Sequence, residues 1–386
     1  MKNKYFFISL FSFLFIGCSD LIAPANLSNA SYEVDYQAVI NTVYANNPGV
    51  NGIMVHVEAP DHSLSWSGAV GYSDPKSKKK INTNQPALIA SNTKMYVSVA
   101  ILRLIEDGKL GLYAPIGNLL TERTKLILHD NHYDLTAIKI VHLLSHTSGI
   151  HDYVDEDYMK QITKDPKRRW TRNEQISRAM KIGHLLNKPG AGYSYADVNY
   201  LLLTEILEQK TGKPFYTAIR GLLNYRKHRF NNTWFYTLEP KPRKTLPLVH
   251  QYAGELGWDS YEINPSVDLY GGGGISATTK DLARFSQLLF EKKIIIDPET
   301  LNLIYTDLGV TKSKYGKYLL GLNESNIKGY KTYGHGGFWG TTVQYIPVLN
   351  ASISVFVLNR DHNKLREVIL EEIVKKLEKQ SKRSKH

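Results

Sequence analysis

Ser91 and Lys94 are the residues whose types and spacing most directly suggest chemistry. They stand three positions apart, so on a helix they lie one turn from each other on the same face. The residues that follow, 95–105, are almost all apolar and predict a buried helix that begins at Ser91. A serine at the positive end of a helix dipole, with a lysine beside it, is a candidate for an activated nucleophile.

The Ser-x-x-Lys spacing alone is weak evidence, because the chain contains it four times. The other three matches begin at Ser73, Ser77 and Ser325. The first two fall in a charged loop that contains a proline, and the third lies between two glycines. Only the match at Ser91 opens a long apolar helix, so the flanking sequence, and not the spacing, singles it out.

A second candidate is the segment that leads from Pro189-Gly190 through Tyr195 to Asp197. The proline and glycine indicate a turn, and the apolar residues after Asp197 predict a helix that starts there. Tyr195 can therefore lie on a rigid loop at the start of a helix. On spacing alone, the commoner alternative is that Asp197 caps the helix and Tyr195 packs in the core.

A third candidate is the glycine-rich segment 334–340, just ahead of a predicted strand at 341–347. Glycine pairs weaken a strand unless something must approach the backbone closely, and a substrate beside such a strand would bond to main-chain groups. The alternative is a glycine-rich turn. A similar triplet, Lys210-Thr211-Gly212, ends a predicted helix and is better interpreted as its cap.

The elements that must position these segments predict an α+β fold of the α/β sandwich type. Helix signals near both ends flank strand signals, and helix signals dominate the middle. We expect an antiparallel sheet covered by N- and C-terminal helices, built from residues 31–111 and 268–375, with a mostly helical insertion at 112–267. The predicted strands are 52–58, 63–71, 317–322, 330–333, 341–347 and 353–358. The clearest helices are 34–44, 136–144, 173–186, 198–209 and one that starts near 365.

Five segments occur in an order that resembles a known family. They are Ser91 to Lys94, the stretch 140–150 that contains His-Thr-Ser-Gly, Pro189-Gly190 through Tyr195 to Tyr200, residues 272–283 with Gly-Gly-Gly-Ile-Ser-Ala-Thr, and His335-Gly336-Gly337. Together they resemble the serine hydrolases of the penicillin-binding protein and class C β-lactamase group, with their peptidase and esterase relatives. The resemblance covers roughly residues 35 to 360, and the ordered set is far more specific than any one segment. It implies a β-lactamase/transpeptidase-like fold.

The resemblance also implies a mechanism. Ser91 would attack a carbonyl and form an acyl-enzyme that water hydrolyses, while Lys94 and Tyr195 would share the proton transfers. The oxyanion hole would use the backbone N–H groups of Ser91 and Phe338. The residues that would bind or orient the substrate are Asp197, His335, Gly336 and Gly337.

Two of these residues depart from the family pattern. Asp197 stands where β-lactamases usually have Asn, and a carboxylate there would keep Lys94 protonated and shift the base role towards Tyr195. His335 replaces the usual Lys and would bind a substrate carboxylate less firmly. We therefore expect a D-amino-acid peptide (D-alanyl-D-alanine carboxypeptidase-like) or an ester or amide as substrate. A true class C-like β-lactamase and an inactive cell-wall-binding protein are the alternatives.

His142 and His146 have the His-x-x-x-His spacing of half a zinc site, with His151 and Asp152 close behind. No Glu follows His142 as in zinc-protease helices, and these residues lie in or beside the family's structural segment. We therefore predict no metal and no cofactor.

The N-terminus resembles an export signal. Lys2 and Lys4 precede an apolar run too short to span a bilayer, which predicts a signal peptide at 1–17. Cys18, the only cysteine, lies in a sequence that resembles a bacterial lipobox. We expect a lipidated Cys18, a tether at 18–30, and a lipid-anchored protein of the bacterial cell envelope, periplasmic or at the cell surface. The alternative is a structural cysteine within an uncleaved anchor.

The composition is that of a globular protein, with 42% hydrophobic residues and a formal net charge of +12. An exported basic protein meets anionic lipids and cell-wall carboxylates, while nucleic acid is mostly elsewhere. We expect a small-molecule or peptide acyl substrate, a membrane contact through Cys18, a basic tail at 376–386, no nucleic-acid partner, and a monomer.

Overall fold

The computed structural model describes residues 27–181, 184–313 and 316–383. The predicted signal peptide and Cys18 lie outside the described residues. The first helix, α1 (Leu27–Ala45), begins inside the predicted tether, and the last, α12 (Leu365–Arg383), ends inside the predicted basic tail. None of the described helices is long and apolar enough to cross a membrane.

The other α-helices, in chain order, are α2 (Thr93–Glu106), α3 (Glu122–Asp130), α4 (Ile140–Leu144), α5 (Glu156–Lys164), α6 (Arg172–Met180), α7 (Val198–Thr211), α8 (Phe215–Leu222), α9 (Tyr225–His228), α10 (Thr279–Phe290) and α11 (Pro298–Asn302). The strands are β1 (Gly52–Ala59), β2 (Leu64–Asp74), β3 (Lys79–Lys80), β4 (Ala87–Leu88), β5 (Trp234–Phe235), β6 (Tyr252–Ala253), β7 (Trp258–Asp259), β8 (Ile275–Ala277), β9 (Lys312–Ser313), β10 (Gly316–Tyr318), β11 (Asn323–Ile327), β12 (Tyr330–Gly337), β13 (Thr341–Ile346) and β14 (Ala351–Val357).

The predicted antiparallel sheet is confirmed. Its strand order is β3-β2-β1-β14-β13-β12-β11-β10-β9, so the first and last long strands are neighbours near its centre. The hairpin of β1 and β2 pairs Gly52 with Gly71, and β1 pairs Ile53 with Val357 of β14. The N- and C-terminal helices pack together on one face of this sheet, and α10 packs on the other.

One strand prediction was wrong in its boundaries. Residues 317–322 are not one strand, because β10 ends at Tyr318 and a separate strand, β11, begins at Asn323. The sequence of β11 is polar, and its strand conformation comes from pairing with β12. The strand predicted at 330–333 is longer and continues through His335 to Gly337.

The insertion is mostly helical, but some of its predicted helices are shorter. Helix α4 starts at Ile140 instead of 136, and α6 ends at Met180 instead of 186. Helix α7 ends at Thr211, and Gly212 closes it in the left-handed conformation with φ = 64°, as the cap interpretation predicted. Strand β5, within the insertion, pairs with β8 and ties the insertion to the rest of the molecule.

Two apolar clusters hold the described residues together. The one between the sheet and the terminal helices, here called the rear core, contains Tyr36, Ile40, Ile53, Val55, Val57, Ile353, Val355, Val357, Ile369, Ile373 and Leu377 among others. The other, here called the site core, lies between the opposite face of the sheet and the helical insertion, and helix α2 runs through it. Ser91 stands at the start of this helix, where the two parts of the molecule meet.

Candidate active site

Ser91 lies in a single 3₁₀ turn, Ala90–Asn92, that leads directly into α2. The regular helix therefore begins two residues later than predicted. Ala90 has φ = 46°, a left-handed conformation that a residue with a side chain rarely adopts, so the turn stores strain. The amide of Asn92 bonds to the carbonyl of Ile89 at 2.8 Å and to Thr341 Oγ1 at 2.9 Å, which ties the turn to strand β13.

Lys94 is fully buried, and its ammonium group has three partners. Its Nζ lies 3.1 Å from Ser91 Oγ, 2.6 Å from the carbonyl oxygen of Gly272 and 2.5 Å from Asp197 Oδ1. The first two contacts are hydrogen bonds, and the third is an ion pair with the carboxylate. The ammonium is thereby fixed beside the serine hydroxyl.

Asp197 precedes α7 but makes no capping bond with its side chain. Its carboxylate pairs with Lys94 instead. The alternative interpretation, a capping aspartate with a core tyrosine, is therefore wrong for this residue. The structure places Asp197 against Lys94.

Tyr195 lies next to both residues. Its ring centroid is 4.9 Å from Lys94 Nζ, and its phenol oxygen is hydrogen-bonded with the Ser91 side chain. Burial raises the pKa of Tyr195 well above its usual value, the charge of Asp197 raises it further, and the hydrogen bond with Ser91 opposes them. Tyr195 is thus a neutral phenol in the free site, and not a phenolate.

The segment His335-Gly336-Gly337 is a strand and not a turn. The pairing of β11 with β12 ends at Gly334, so the following residues pair on one side only, with β13. Their other side faces the Ser91 turn, and a Cβ atom on Gly337 would come within 2.3 Å of the carbonyl oxygen of Ile89. Glycine is required there because two backbones pass too closely for a side chain.

The two backbone N–H groups of the predicted oxyanion hole lie on either side of the place where the Ser91 turn and strand β12 come close. Ser91 contributes one from its turn, and Phe338 contributes the other from the residue after β12. In the described part of the chain neither N–H donates to a carbonyl or a side chain. Both are therefore available to an oxyanion.

His335 is buried and neutral. Its Nδ1 donates to the carbonyl of Gly336 at 2.6 Å, so its Nε2 accepts the hydroxyl of Tyr318 at 3.1 Å. Burial and the charge of Lys94 lower the pKa of His335 to about 3. The ring therefore presents no cation to a substrate carboxylate, which goes beyond the weaker binding expected from the sequence.

Two carboxylates near Lys94 were not singled out as site residues. Asp152 Oδ1 accepts the backbone N–H of Asp197 at 2.9 Å, and Asp268 has one buried oxygen with no hydrogen-bond partner among the described residues. Burial and then the charge of Asp197 raise the pKa of Asp152, and they raise that of Asp268 to about 8. No motif marks either residue, because only tertiary contacts bring them close to Lys94.

His146, from the segment interpreted as structural, packs against Tyr195 with ring centroids 4.2 Å apart. Its Nδ1 accepts the backbone N–H of Ala196 at 3.2 Å and contacts the amide of Asn199 at 3.1 Å. The segment therefore fixes the loop that carries Tyr195. His142 instead accepts the backbone N–H of Lys139. Among the described residues no group of three potential ligands could hold a metal ion.

The antiparallel sheet, its helical insertion, and the serine, lysine and tyrosine at their junction define a serine hydrolase of the β-lactamase-related class. The family model described as Beta-lactamase matches residues 45–377. The chain therefore belongs to the Beta-lactamase family, which confirms the predicted resemblance.

Relatives of known name share modest identity with the chain. Penicillin-binding protein 4* of Bacillus subtilis (strain 168) is 22% identical over 262 residues, 64% of this chain and 53% of the relative. A D-aminopeptidase of Cereibacter sphaeroides is 26% identical over 327 residues, 80% of this chain and 56% of the relative. The chain thus spans about half the length of these curated relatives.

Solved structures confirm the fold. A D-stereospecific amidohydrolase from Streptomyces sp. superposes with a TM-score of 0.74 at 21% identity, covering 88% of this chain and 98% of that chain. The D-amino acid amidase from Ochrobactrum anthropi SV3, complexed with L-phenylalanine, has a TM-score of 0.75 at 19% identity, with coverage of 90% and 99%.

Proposed function

We propose that this protein hydrolyses amides or peptides of D-amino acids through an acyl-enzyme on Ser91, with esters of the same acids as further substrates. The observation that carries the proposal is the contact of the Ser91 hydroxyl with both Lys94 Nζ, at 3.1 Å, and the phenol of Tyr195. The names of the relatives and structural neighbours, a D-aminopeptidase and D-amino acid amidases, supply the substrate class.

The chemistry needs no ionised tyrosine. As Ser91 Oγ bonds to the carbonyl carbon, its proton passes to the phenol oxygen of Tyr195, and the phenol proton passes to the leaving nitrogen, so that the C–N bond breaks as an amine leaves. Lys94 stays protonated and stabilises the negative charge that develops at both oxygens. Water then attacks the acyl carbon, and the same relay returns the proton to Ser91.

Charge around the site favours a substrate with a free amino group. Asp152, Asp197 and Asp268 surround the single ammonium of Lys94, while His335 is neutral. The raised pKa values of Asp152 and Asp268 favour their protonated forms, and a bound cation would favour their ionised forms and be stabilised by them, whereas the neutral His335 offers a substrate carboxylate no counter-charge. β-Lactams and peptides that end in D-alanine carry a carboxylate near the scissile bond, so this arrangement disfavours both.

One panel of substrates tests the proposal. It contains the p-nitroanilides of D-alanine, L-alanine and N-acetyl-D-alanine, a D-Ala-D-Ala peptide and a chromogenic cephalosporin. We expect turnover of the D-alanine compound, with at least about tenfold slower turnover of its acetylated form, since acetylation removes one charged contact. Ser91→Ala should lose at least about 10³-fold in kcat/KM.

Ser77→Ala is the matched control, because it removes the serine of another Ser-x-x-Lys match outside the site. Unchanged hydrolysis in Ser91→Ala would refute the nucleophile. Faster turnover of the cephalosporin than of the D-alanine compound would favour the β-lactamase alternative. An acyl adduct on Ser91 in the intact mass would exclude an inactive binding protein.

We further propose that the protein is exported and lipid-anchored through Cys18. The support is the charged start, the apolar run and the lipobox-like sequence. In a bacterial host, Cys18→Ser should move the protein from the membrane fraction to the soluble fraction. An unchanged membrane fraction would refute the anchor.

A further inference from the structure

A second cleft, of about 560 Å³, lies at the opposite end of α2 from Ser91. Helix α2 has 14 residues, so the cleft is about 20 Å from the nucleophile. Its walls come from the C-terminal ends of α2 and α7, from α8 and α9, and from the loop after α10. This volume is in the range of sites for small molecules.

The walls of the cleft are strongly basic. The cations that line it are Arg103, Lys109, Lys210, Lys213, Lys227 and Lys293. Asp107 is the one acidic residue among the lining residues, and it already pairs with Lys109 at 3.0 Å and with Arg103 at 3.5 Å. The other four lysines form no ion pair in the described ranges.

Helix ends account for part of this charge. Arg103, Lys210 and Lys227 lie in the last turns of their helices, where a cation is favourable in any protein. Lys213 and Lys293 lie outside the helices, in the loops that precede α8 and follow α10. Helix dipoles do not explain why these two line the same cleft.

We propose that this cleft binds a phosphate-bearing anion. A lysine ammonium group acts as a point charge and can bind phosphate from any direction. A phosphate dianion carries two negative charges on one small group, so it can interact with several unpaired lysines at once. No Phe, Tyr or Trp is among the lining residues, so a nucleic-acid base would find no ring to stack on. The buried side chains of Leu104 and Ile294 give the cleft a partly apolar floor for the organic part of a phosphoester.

The site gives a role to a motif that catalysis leaves unused. Lys210 and Thr211, from the Lys-Thr-Gly triplet at the end of α7, both line the cleft. The triplet therefore lies far from Ser91 and contributes one of the unpaired ammonium groups. This site is independent of the proposed hydrolase activity.

The test uses the full chain and two sources of the same phosphate chemistry. Calorimetry with pyrophosphate and glycerol 3-phosphate measures a soluble ligand, and flotation with phosphatidylglycerol vesicles measures a lipid headgroup. Lys210→Glu/Lys213→Glu should weaken binding at least about tenfold, since each charge-assisted contact that is lost costs about that factor. Lys79→Glu/Lys80→Glu is the matched control, because it reverses two exposed lysines of a strand that does not line the cleft.

The site is supported if the wild type and the Lys79→Glu/Lys80→Glu control bind in calorimetry or in flotation and Lys210→Glu/Lys213→Glu does not. Binding in calorimetry identifies a soluble phosphate, and binding in flotation identifies a lipid headgroup. The proposal is overturned if wild type binds in neither calorimetry nor flotation, or if both double variants lose binding equally. Tighter binding of a single-stranded oligonucleotide than of pyrophosphate also overturns it. Hydrolysis of the D-alanine substrate should be the same in wild type and both variants, so failure here is distinguishable from failure of the proposed function.

Discussion

The rear core and the site core bury similar apolar side chains but differ in what else they bury. Aliphatic and aromatic residues from the sheet and the terminal helices fill the rear core. Buried ionisable side chains occur beside the candidate site: Lys94 contacts the Ser91 hydroxyl, and His146 and His335 lie next to Tyr195. Buried charge is costly unless it is paired. Buried charged groups are therefore found beside Ser91, where they are paired, and are absent from the described apolar side chains of the rear core.

Replacing Lys94 with Met should give the largest effect. It leaves the carboxylate of Asp197 buried without its cation, which costs about 3–5 kcal/mol in the free energy of unfolding. It also removes the ammonium beside Ser91, so kcat/KM should fall by at least about 10³-fold. Urea unfolding and steady-state kinetics measure both, and full activity in this variant would refute the contrast between the cores.

Replacing Ile373 with Ala in the rear core should lower stability without touching chemistry. This side chain is fully buried, so the cavity should cost about 2–5 kcal/mol in the free energy of unfolding. In conditions where the variant is folded, kcat/KM should match the wild type. A large fall in kcat/KM would show that the two cores are coupled.

Replacing Asp268 with Asn should change the pH dependence of stability. The folded pKa is about 8 and the unfolded pKa is about 3.9, so between these values the folded state holds a proton that the unfolded chain has released. The stability that the protonated Asp268 side chain contributes to the folded state is fully present below about pH 4 and is lost as the pH rises to about 8. Asn does not titrate, so the variant lacks this loss. The free energy of unfolding of the variant minus that of wild type should therefore increase by at least about 1 kcal/mol from pH 5 to pH 8.5. Parallel pH profiles for the two proteins would contradict this.

Replacing Gly212 with Ala should have the smallest effect. The residue has φ = 64° and nothing lies within 4 Å of an added Cβ, so only backbone strain of about 1 kcal/mol is expected. Hydrolysis should be unchanged, because the triplet that ends at Gly212 is a helix cap. Loss of activity would mean that this Lys-Thr-Gly belongs to the catalytic site after all.

The sequence alone was sufficient to predict the long strands of the sheet and the helices at the two ends of the chain. Short apolar, β-branched runs mark β1, β13 and β14, which are buried on both faces, and alternation marks β2, which has one buried face. It was not sufficient for β11, whose residues are polar and become a strand only by pairing with β12. The end of α6 was also misplaced, since helix propensity continues past the point where the fold needs a turn.

The same limit applies to the site. Ser91, Lys94 and Tyr195 were found because each lies in a recognisable segment, and the structure brings them together. Asp152 and Asp268 were missed as site residues because only tertiary contact relates them to Lys94. The pKa of Tyr195 also required the structure, because burial and the charge of Asp197 cannot be inferred from spacing.

The pairing of β1 with β14 has a consequence for the timing of folding. Ile53 and Val357 are neighbours in the sheet although roughly 300 residues separate them, and contacts at such separation form slowly. The centre of the sheet cannot close until β14 has been synthesised and has left the ribosome. The strand that carries His335, β12, is likewise made long after Ser91 and Tyr195, so the active site stays incomplete while the helical insertion is synthesised.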